Sequence, residues 1–430
     1  MIPSLQGLQT ALSGLLGEQA ALDVTANNIA NTNTEGYTRE TAVLAPSPPL
    51  QIPAISTATG RGAQIGTGLE VQDIKRIRDS YLDSQYRSQN NSMSAASTLS
   101  EALAQTQGAF AEPSSSSLAS QLSAFWGAWS SLAQTPNSEA ARQGVVASGQ
   151  QLARTFNQLS GELHGVAAQA EERYTALSGE VHGEASQVAM LNGQIRLAEE
   201  AGQHPNEMLD RRDALLDKLS TLAGVSVATA ADGTKTVSFG DAAQPLVEGA
   251  TVNWPQTLTS AAGGQLGALL AVSSPSGTVA GFQGALDNVA AALAGSVNAL
   301  QPTTPFFSGT SAATLAVAAT PAQVQSSSSG EAGGNDLAIA ISALRGGGAD
   351  QGYAALVAQV GSAVRAAKDE QANFQTTLNA VTEHRQSVSG VSLDEEMTNL
   401  ISFQRGYQAS ARTLTALDNM LELLIEHTGI

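Results

Sequence analysis

Apolar residues recur at alternating three- and four-residue steps at both ends of this chain, and that pattern restricts its fold more than any other feature. Near the N-terminus run Leu5, Leu8, Leu12, Leu15, Gln19, Leu22, Ala26 and Ile29; near the C-terminus run Leu400, Phe403, Tyr407, Ser410, Leu414, Leu417, Leu421 and Leu424. Such a step keeps side chains on one stripe of an α-helix and seats them against another helix. Chain ends are ordinarily frayed and poor in apolar residues, so stripes this regular predict that the two ends meet each other or other subunits.

Composition narrows what lies between them. At 430 residues the chain is longer than one ordinary domain and can bury a sizeable core. Aromatics are 4% and hydrophobics 42% of the chain, much of that Ala, so the expected interior is close helix packing of small side chains and Leu. A formal net charge of -18 opposes nucleic acid, whose phosphates a binder must neutralise, and opposes an anionic membrane surface for the same reason. Cysteine is absent, which excludes disulfides and thiolate metal sites. The first Lys or Arg is Arg39, so residues 1–38 lack the basic start of a secretory signal peptide, and no stretch approaches the ~20 apolar residues of a membrane span.

Residues 4–31 read as one amphipathic helix, ended by Asn27, Asn28, Asn31, Asn33 and Gly36, residue types that tolerate left-handed backbone or bond back to it. A Pro-rich extended stretch (Pro46, Pro48, Pro49, Pro53) and a run of glycines (Gly60, Gly62, Gly66, Gly68) follow, then a short strand passing into a helix that begins near Asp79. Helical spacing covers 81–111, 117–133, 137–201 and 206–222. The period then changes: Val225, Val227, Thr234, Thr236, Val237 and Phe239 flank Ala231-Asp232-Gly233, a hairpin with Asp-Gly at its turn. Helix resumes at 281–300, 335–344, 351–388 and 393–427, with a Ser/Gly/Pro-rich loop over 301–334. The expected protein is mainly α, a long helical bundle or coiled coil built from the N- and C-terminal ends with a small β-rich middle region. Paired ends would leave the middle of the sequence at the tip of a rod.

Chemistry is hard to place on this chain. Gly60-x-Gly62-x-x-x-Gly66 lacks the third-glycine spacing of a dinucleotide loop, and Arg345-Gly346-Gly347-Gly348 lacks the Lys-Ser/Thr of a phosphate loop. His164, His182, His204, His384 and His427 are scattered, and no serine sits in a Gly-x-Ser-x-Gly elbow. Asp210-Arg211-Arg212-Asp213 is the densest charge cluster and reads as a solvated helix face, with Glu207 four residues before Arg211. Asp394, Glu395 and Glu396 suit the first turn of the last helix through its dipole. No catalytic, cofactor-binding or metal-binding residue is assigned, and no cofactor is expected.

Residues 26–39, Ala-Asn-Asn-Ile-Ala-Asn-Thr-Asn-Thr-Glu-Gly-Tyr-Thr-Arg, resemble the N-terminal motif shared by bacterial flagellar rod, hook and hook-associated proteins. Its Gly36-Tyr37-Thr38-Arg39 ending is most similar to the hook-associated protein 1 family of the hook-filament junction. Three further segments agree: Gly66-Thr67-Gly68-Leu69-Glu70-Val71 with Arg76, Asp79 and Leu82; Asn206 to Asp213; and Ser389-Gly390-Val391-Ser392-Leu393-Asp394-Glu395-Glu396 with Phe403-Gln404 and Tyr407-Gln408.

The resemblance implies a structural protein, not an enzyme, that polymerises between hook and filament. Its expected partners are copies of itself, the flagellar hook protein, the next hook-associated junction protein and a flagellar export chaperone. Its expected place is the extracellular flagellum, reached through the flagellar type III apparatus without a cleaved signal. Residues 1–38 and 393–430 would form a terminal coiled-coil domain, the inner layer of a tube. Residues 39–224 and 281–392 would form a helical rod domain with a short N-terminal β-rich stretch, of which 225–280 is a small β-rich part, and the large outer β domain of longer relatives is expected to be missing.

The assembly seam is then expected at Leu5, Leu8, Leu12, Leu15, Leu22, Ile29, Leu400, Phe403, Tyr407, Leu414, Leu417, Leu421 and Leu424. The family motif comprises Asn27, Asn28, Asn31, Gly36, Tyr37, Arg39, Asp394, Glu395 and Glu396. A second reading is another axial protein, the hook protein or the second junction protein. A third, from a different class, is a type III-exported enzyme such as a wall hydrolase, against which stands the lack of a paired acid and base.

Overall fold

A computed structural model describes residues 2–52 and 63–428. Pro53, Gly60 and Gly62 lie outside the described residues, as do the side chains of Leu5 and Leu424. Helix α1 (Ile2–Ala30) leads into strands β1 (Glu40–Pro46), β2 (Leu50–Ile52), β3 (Ala63–Ile65) and β4 (Leu69–Arg76). Then come α2 (Ser80–Phe110), α3 (Leu118–Gln134), α4 (Glu139–Glu200) and α5 (Asn206–Leu222). Strands β5 (Val225–Thr229), β6 (Lys235–Phe239), β7 (Val247–Glu248) and β8 (Thr251–Val252) form one antiparallel sheet in sequence order. Helices α6 (Gly264–Ser273) and α7 (Thr278–Ala299), strands β9 (Phe307–Ser308) and β10 (Ala316–Val317), and helices α8 (Asp336–Ser342), α9 (Gly348–Ser389) and α10 (Leu393–Thr428) complete the chain.

Polar residues set the helix starts. Asp79 accepts from the Tyr81 amide at 2.8 Å to cap α2, Ser117 caps α3 through the Ser120 amide, and Ser138 caps α4 through the Ala141 amide. Each satisfies an amide that has no partner within its helix. At 62 residues, α4 is about 93 Å long at 1.5 Å per residue, and it is held by two separate cores. Its first half contributes Val145, Leu152, Phe156, Leu159 and Leu163 to a core with α3, α6, α7, α8 and α9; its second half contributes Val181, Ala185 and Val188 to a core with α5 and the four-stranded sheet. Between them, Tyr174 and Leu177 touch both, while Glu171, Glu172, Arg173, Thr175 and Ala176 are exposed.

Two expectations change here. The interior is not made only of Leu and small residues: Phe125, Trp126, Trp129, Phe306 and Phe307 gather in the first core, with ring centroids 4.8–6.3 Å apart. Few as they are, the aromatics supply the largest buried areas per residue, and they are concentrated where helices from distant parts of the sequence converge. Nor does the β-rich middle form a tip. The sheet folds back onto the second half of α4, where Asn192 donates to the Lys235 and Gly249 carbonyls at 2.9 and 2.8 Å. Helices α2 and α9 run beside each other, and α1 pairs with α10, so the chain's two ends return to one place.

Candidate functional site: the paired termini and their exit

The α1–α10 pair is antiparallel in a single register. A Cβ on Gly7 would stand 3.3 Å from Leu417, one on Gly14 3.0 Å from Ser410, and one on Gly406 2.6 Å from the Glu18 carboxyl. Further along, Asn28 bonds Glu396. Each step along one helix is matched by an equal step back along the other, so the seam runs straight. Glycine at 14 and 406 leaves room for the Ser410 and Glu18 side chains of the facing helix, which a Cβ at either position would crowd. Burial of the Glu18 carboxyl beside this seam raises its pKa above the ordinary carboxylate value.

The leucine stripes hold only part of this contact. Leu8, Leu15, Leu22, Ile29, Leu400, Phe403, Tyr407, Leu414, Leu417 and Leu421 are half-buried, whereas Leu12 is 45% exposed. Among the described side chains, the buried residues of α1 are instead Ala11, Gly17, Ala21, Val24, Thr25 and Asn28. The reason is that α1 has two neighbours. Besides α10 it packs on the β1–β4 ladder, where Gly17 lies against Leu69 and Leu44 and Ser13 Oγ accepts from the Leu69 amide. A stripe chosen for one partner helix misses the small residues that meet a sheet.

Where α1 ends, Asn28 is 1% exposed and its amide is fully used. Nδ2 donates to the Glu40 carbonyl at 2.8 Å and to Glu396 Oε2 at 3.1 Å; Oδ1 accepts from Tyr37 Oη at 2.8 Å and the Glu40 amide at 2.9 Å. Asn27 and Asn31 act locally: Asn31 Nδ2 donates to Asn27 Oδ1 at 2.8 Å, and Asn31 Oδ1 accepts from Thr34 Oγ1 at 3.0 Å. Gly36 takes φ of 81°, a left-handed turn that suits glycine, and brings Tyr37 back over Asn28. Burial, with Glu40, Asp210, Glu396 and Glu207 nearby, pushes the Tyr37 phenol up, so it stays a neutral donor.

The acidic trio does more than face a helix dipole. Arg39 forks across it, with Nη1 2.7 Å from Glu395 Oε2 and Nε 2.7 Å from Glu396 Oε1, and its amide donates to the Ser389 carbonyl at 3.0 Å. Glu396 is 1% exposed, whereas Asp394 and Glu395 face solvent.

The Asp210–Asp213 segment is not a solvated face. Asp210, Arg212 and Asp213 are buried, and Arg211 alone of the four is exposed. Asp210 accepts from the Thr38 amide at 2.9 Å and from Arg76 at 2.6 Å; Asp213 meets Arg76 at 3.0 Å and Arg78 at 3.3 Å. Asp83 and Asp217 each hold Arg385, with Arg78 and Arg87 as their respective second partners. This network fastens the exit loop of α1 to α2, α5 and α9, and reading the sequence missed it. One signal was available: Asp210, Asp213 and Asp217 lie three and four residues apart, on one face of a helix.

Among the described residues, no group of three or more His, Asp or Glu is placed to hold a metal, and no helix is long and apolar enough to cross a membrane.

Residues 103–261 match the flagellar hook-associated protein FlgK helical domain, residues 384–426 the flagellar basal body rod FlgEFG protein C-terminal family, and residues 8–38 the flagella basal body rod protein family. Flagellar hook-associated protein 1 of Bacillus subtilis is 31% identical over 507 aligned positions that cover 100% of this chain and 99% of that protein. The Salmonella typhimurium and Escherichia coli proteins of the same name are 30% and 29% identical, each over 59% of this chain but only 44% and 45% of their own lengths. A solved structure, the flagellar hook junction protein FlgK from Burkholderia pseudomallei, is similar at a TM-score of 0.46 and 26% identity, covering 51% of this chain and 43% of that one.

Proposed function

The chain belongs to the flagellar hook-associated protein 1 family, structural proteins of the bacterial flagellum at the junction of hook and filament, and on that premise we propose that its copies polymerise into a short ring or helical collar through their paired terminal helices. The observation that carries this reading is the outer face of the pair. Leu12, Leu16, Leu393, Met397, Ile401, Met420 and Leu423 are 45–56% exposed. At ~25 cal/mol per Å² of apolar surface removed from water, neighbouring copies gain most by covering such side chains.

In this reading the seam residues Leu8, Leu12, Leu15, Leu22, Ile29, Leu400, Phe403, Tyr407, Leu414, Leu417 and Leu421 make both the contact within a copy and the contact between copies, and Leu5 and Leu424 continue the same stripes in the sequence. Residues 1–38 and 393–430 form the inner layer of the tube, and the two-core body (39–392) stands outside it. The Asn27–Arg39 exit, tied to Glu395 and Glu396, fixes the angle between the two. In the same reading the large outer β domain of longer relatives is reduced or missing; in support, among the described residues the long irregular stretch after α7 holds only the β9–β10 pair and one 3-10 turn. The protein acts without catalysis. It contacts other axial proteins, the hook protein below and the next hook-associated protein above, after chaperoned export through the flagellar type III channel to the cell exterior.

The test is the double variant Met397→Asp with Ile401→Asp. Both side chains are exposed, so the monomer should keep its helicity and lose no more than about 1 kcal/mol of stability. Cells carrying it should make hooks without filaments and release filament protein into the medium, because each charge would be desolvated in the collar. Normal filaments on such cells would refute the collar contact.

A further inference from the structure

A cleft of about 420 Å³ opens between the end of β4, the start of α2, α5 and the β5–β6 hairpin, and its lining is unexpectedly cationic. Arg76, Arg78, Arg87, Arg212 and Lys235 line it with Asp83 and Asp213, in a chain whose formal net charge is -18; behind the lining Asp210 pairs Arg76 at 2.6 Å and Asp217 pairs Arg87 at 2.8 Å, which leaves Arg212 and Lys235 as the excess cations. Both carboxylates are already engaged, Asp83 by Arg78 and Arg385, Asp213 by Arg76 and Arg78. Among the described residues neither Arg212 nor Lys235 meets a carboxylate: Arg212 Nη1 donates to Asn192 Oδ1 at 3.2 Å and Lys235 Nζ to Thr229 Oγ1 at 2.7 Å.

The deficit shows atom by atom. Arg78 Nη2, Arg87 Nη2 and Arg212 Nε are enclosed without a hydrogen-bond partner, three donors against one acceptor, Asp83 Oδ1, which has the Arg385 guanidinium 2.9 Å away; Arg87 Nη2 stands 3.7 Å from Asp213 Oδ1, beyond bonding reach. Arg87 and Arg212 are 6% and 3% exposed. Burial lowers the pKa of both Arg212 and Lys235, and each is pushed further down by neighbouring cations of the same cleft. Buried donors left unpaired, and charged ones above all, are costly unless something answers them.

We propose that this cleft binds a small oxyanion of the phosphate or sulfate class, held by Arg212 and Lys235 with Arg76, Arg78 and Arg87 around it. Guanidinium groups suit such a ligand because their planar N–H pairs match two oxygens at once. The repulsion from the chain's net charge is screened beyond ~8 Å at physiological ionic strength, so it does not reach into a cleft walled by arginines. The bound anion would lock the β5–β6 hairpin to α5 and to the network that fastens the exit of α1. It is independent of the collar reading, because it acts within one copy.

The experiment uses the purified full chain titrated with inorganic phosphate at constant ionic strength set by chloride. Calorimetric titration should give saturable binding with Kd below about 1 mM, and Tm should rise by about 2–4 °C at saturation. Lys235→Gln, at the half-buried rim, should weaken binding by about tenfold and leave Tm in phosphate-free buffer unchanged or higher, since it relieves a repulsion. Arg154→Gln, an exposed arginine on α4 outside the cleft, should leave binding unaltered. No binding heat and a Tm that follows ionic strength alone would overturn the proposal, as would phosphate binding undiminished in Lys235→Gln.

Discussion

At the scale of residues, Asn28 and Asp213 do the same kind of work by different means. Asn28 spends both donors and both acceptor positions of a neutral amide to join α1, β1 and α10, and an aspartate there could not donate to the Glu40 carbonyl. Asp213 joins β4, α2 and α5 through charge. Burial alone would raise its carboxyl pKa, but Arg78, Arg76 and Arg87 together hold it below its ordinary value. A carboxylate with a depressed folded pKa contributes stability that is complete above its unfolded value, near 3.9, and is lost as pH falls toward the folded value. We therefore expect the urea midpoint to fall as pH is lowered from about 5 to 3. Asp213→Asn should start lower at pH 7, because it leaves arginines unpaired, and should lose less over that interval. An equal acid loss in both proteins would remove Asp213 from the account.

At the scale of elements, glycine decides how closely the β9–β10 segment packs on α4. Within α4, a Cβ at Gly149 would lie 2.7 Å from the Phe306 ring and 3.1 Å from Val317, whereas Gly161, on the same helix, has nothing within 4 Å. Glycine-to-alanine exchange in a helix ordinarily gains up to ~1 kcal/mol, and overpacking a full core costs about 1–3 kcal/mol. Gly161→Ala should therefore raise Tm and Gly149→Ala should lower it, a difference in sign that thermal denaturation followed by circular dichroism reads directly. A shared sign would show that Phe306 moves aside freely. The helices themselves were legible in the sequence because caps such as Asp79 and Ser138 and long apolar periods are local signals, and the Asp232-Gly233 hairpin was legible for the same reason. Helix α6 was not, since Gly264–Ser273 is apolar around much of its circumference and four of its residues pack as core. The aromatic cluster and the Asp210–Asp213 network were hidden for a different reason. Their partners, Phe306 for Trp129 and Arg76 for Asp210, come from distant stretches that only the tertiary fold brings together.

At the scale of the whole molecule, burial falls steeply from one part to another. The core around Phe125, Trp129 and Phe306 is sealed. The four-stranded sheet and α5 form a smaller second core. On α10 the one fully buried residue among those described is Glu396, held by polar contacts, and its apolar residues are half-buried or exposed. Local opening free energy follows buried apolar contact, so the free monomer should be stable at α3 and the first half of α4 and weak along the terminal pair. In the monomer, hydrogen exchange should be fastest in α10 and the first half of α1, slower near Asn28 and Arg39 where the polar clamp holds, and slowest near Trp129. If neighbouring copies supply the missing layer, α10 should become as protected as the core on assembly, and Met397→Asp with Ile401→Asp should abolish that gain without altering exchange at Trp129. Strong protection of α10 already present in the monomer would mean that the pair is complete by itself, and the drive to polymerise would then have to come from the outer body.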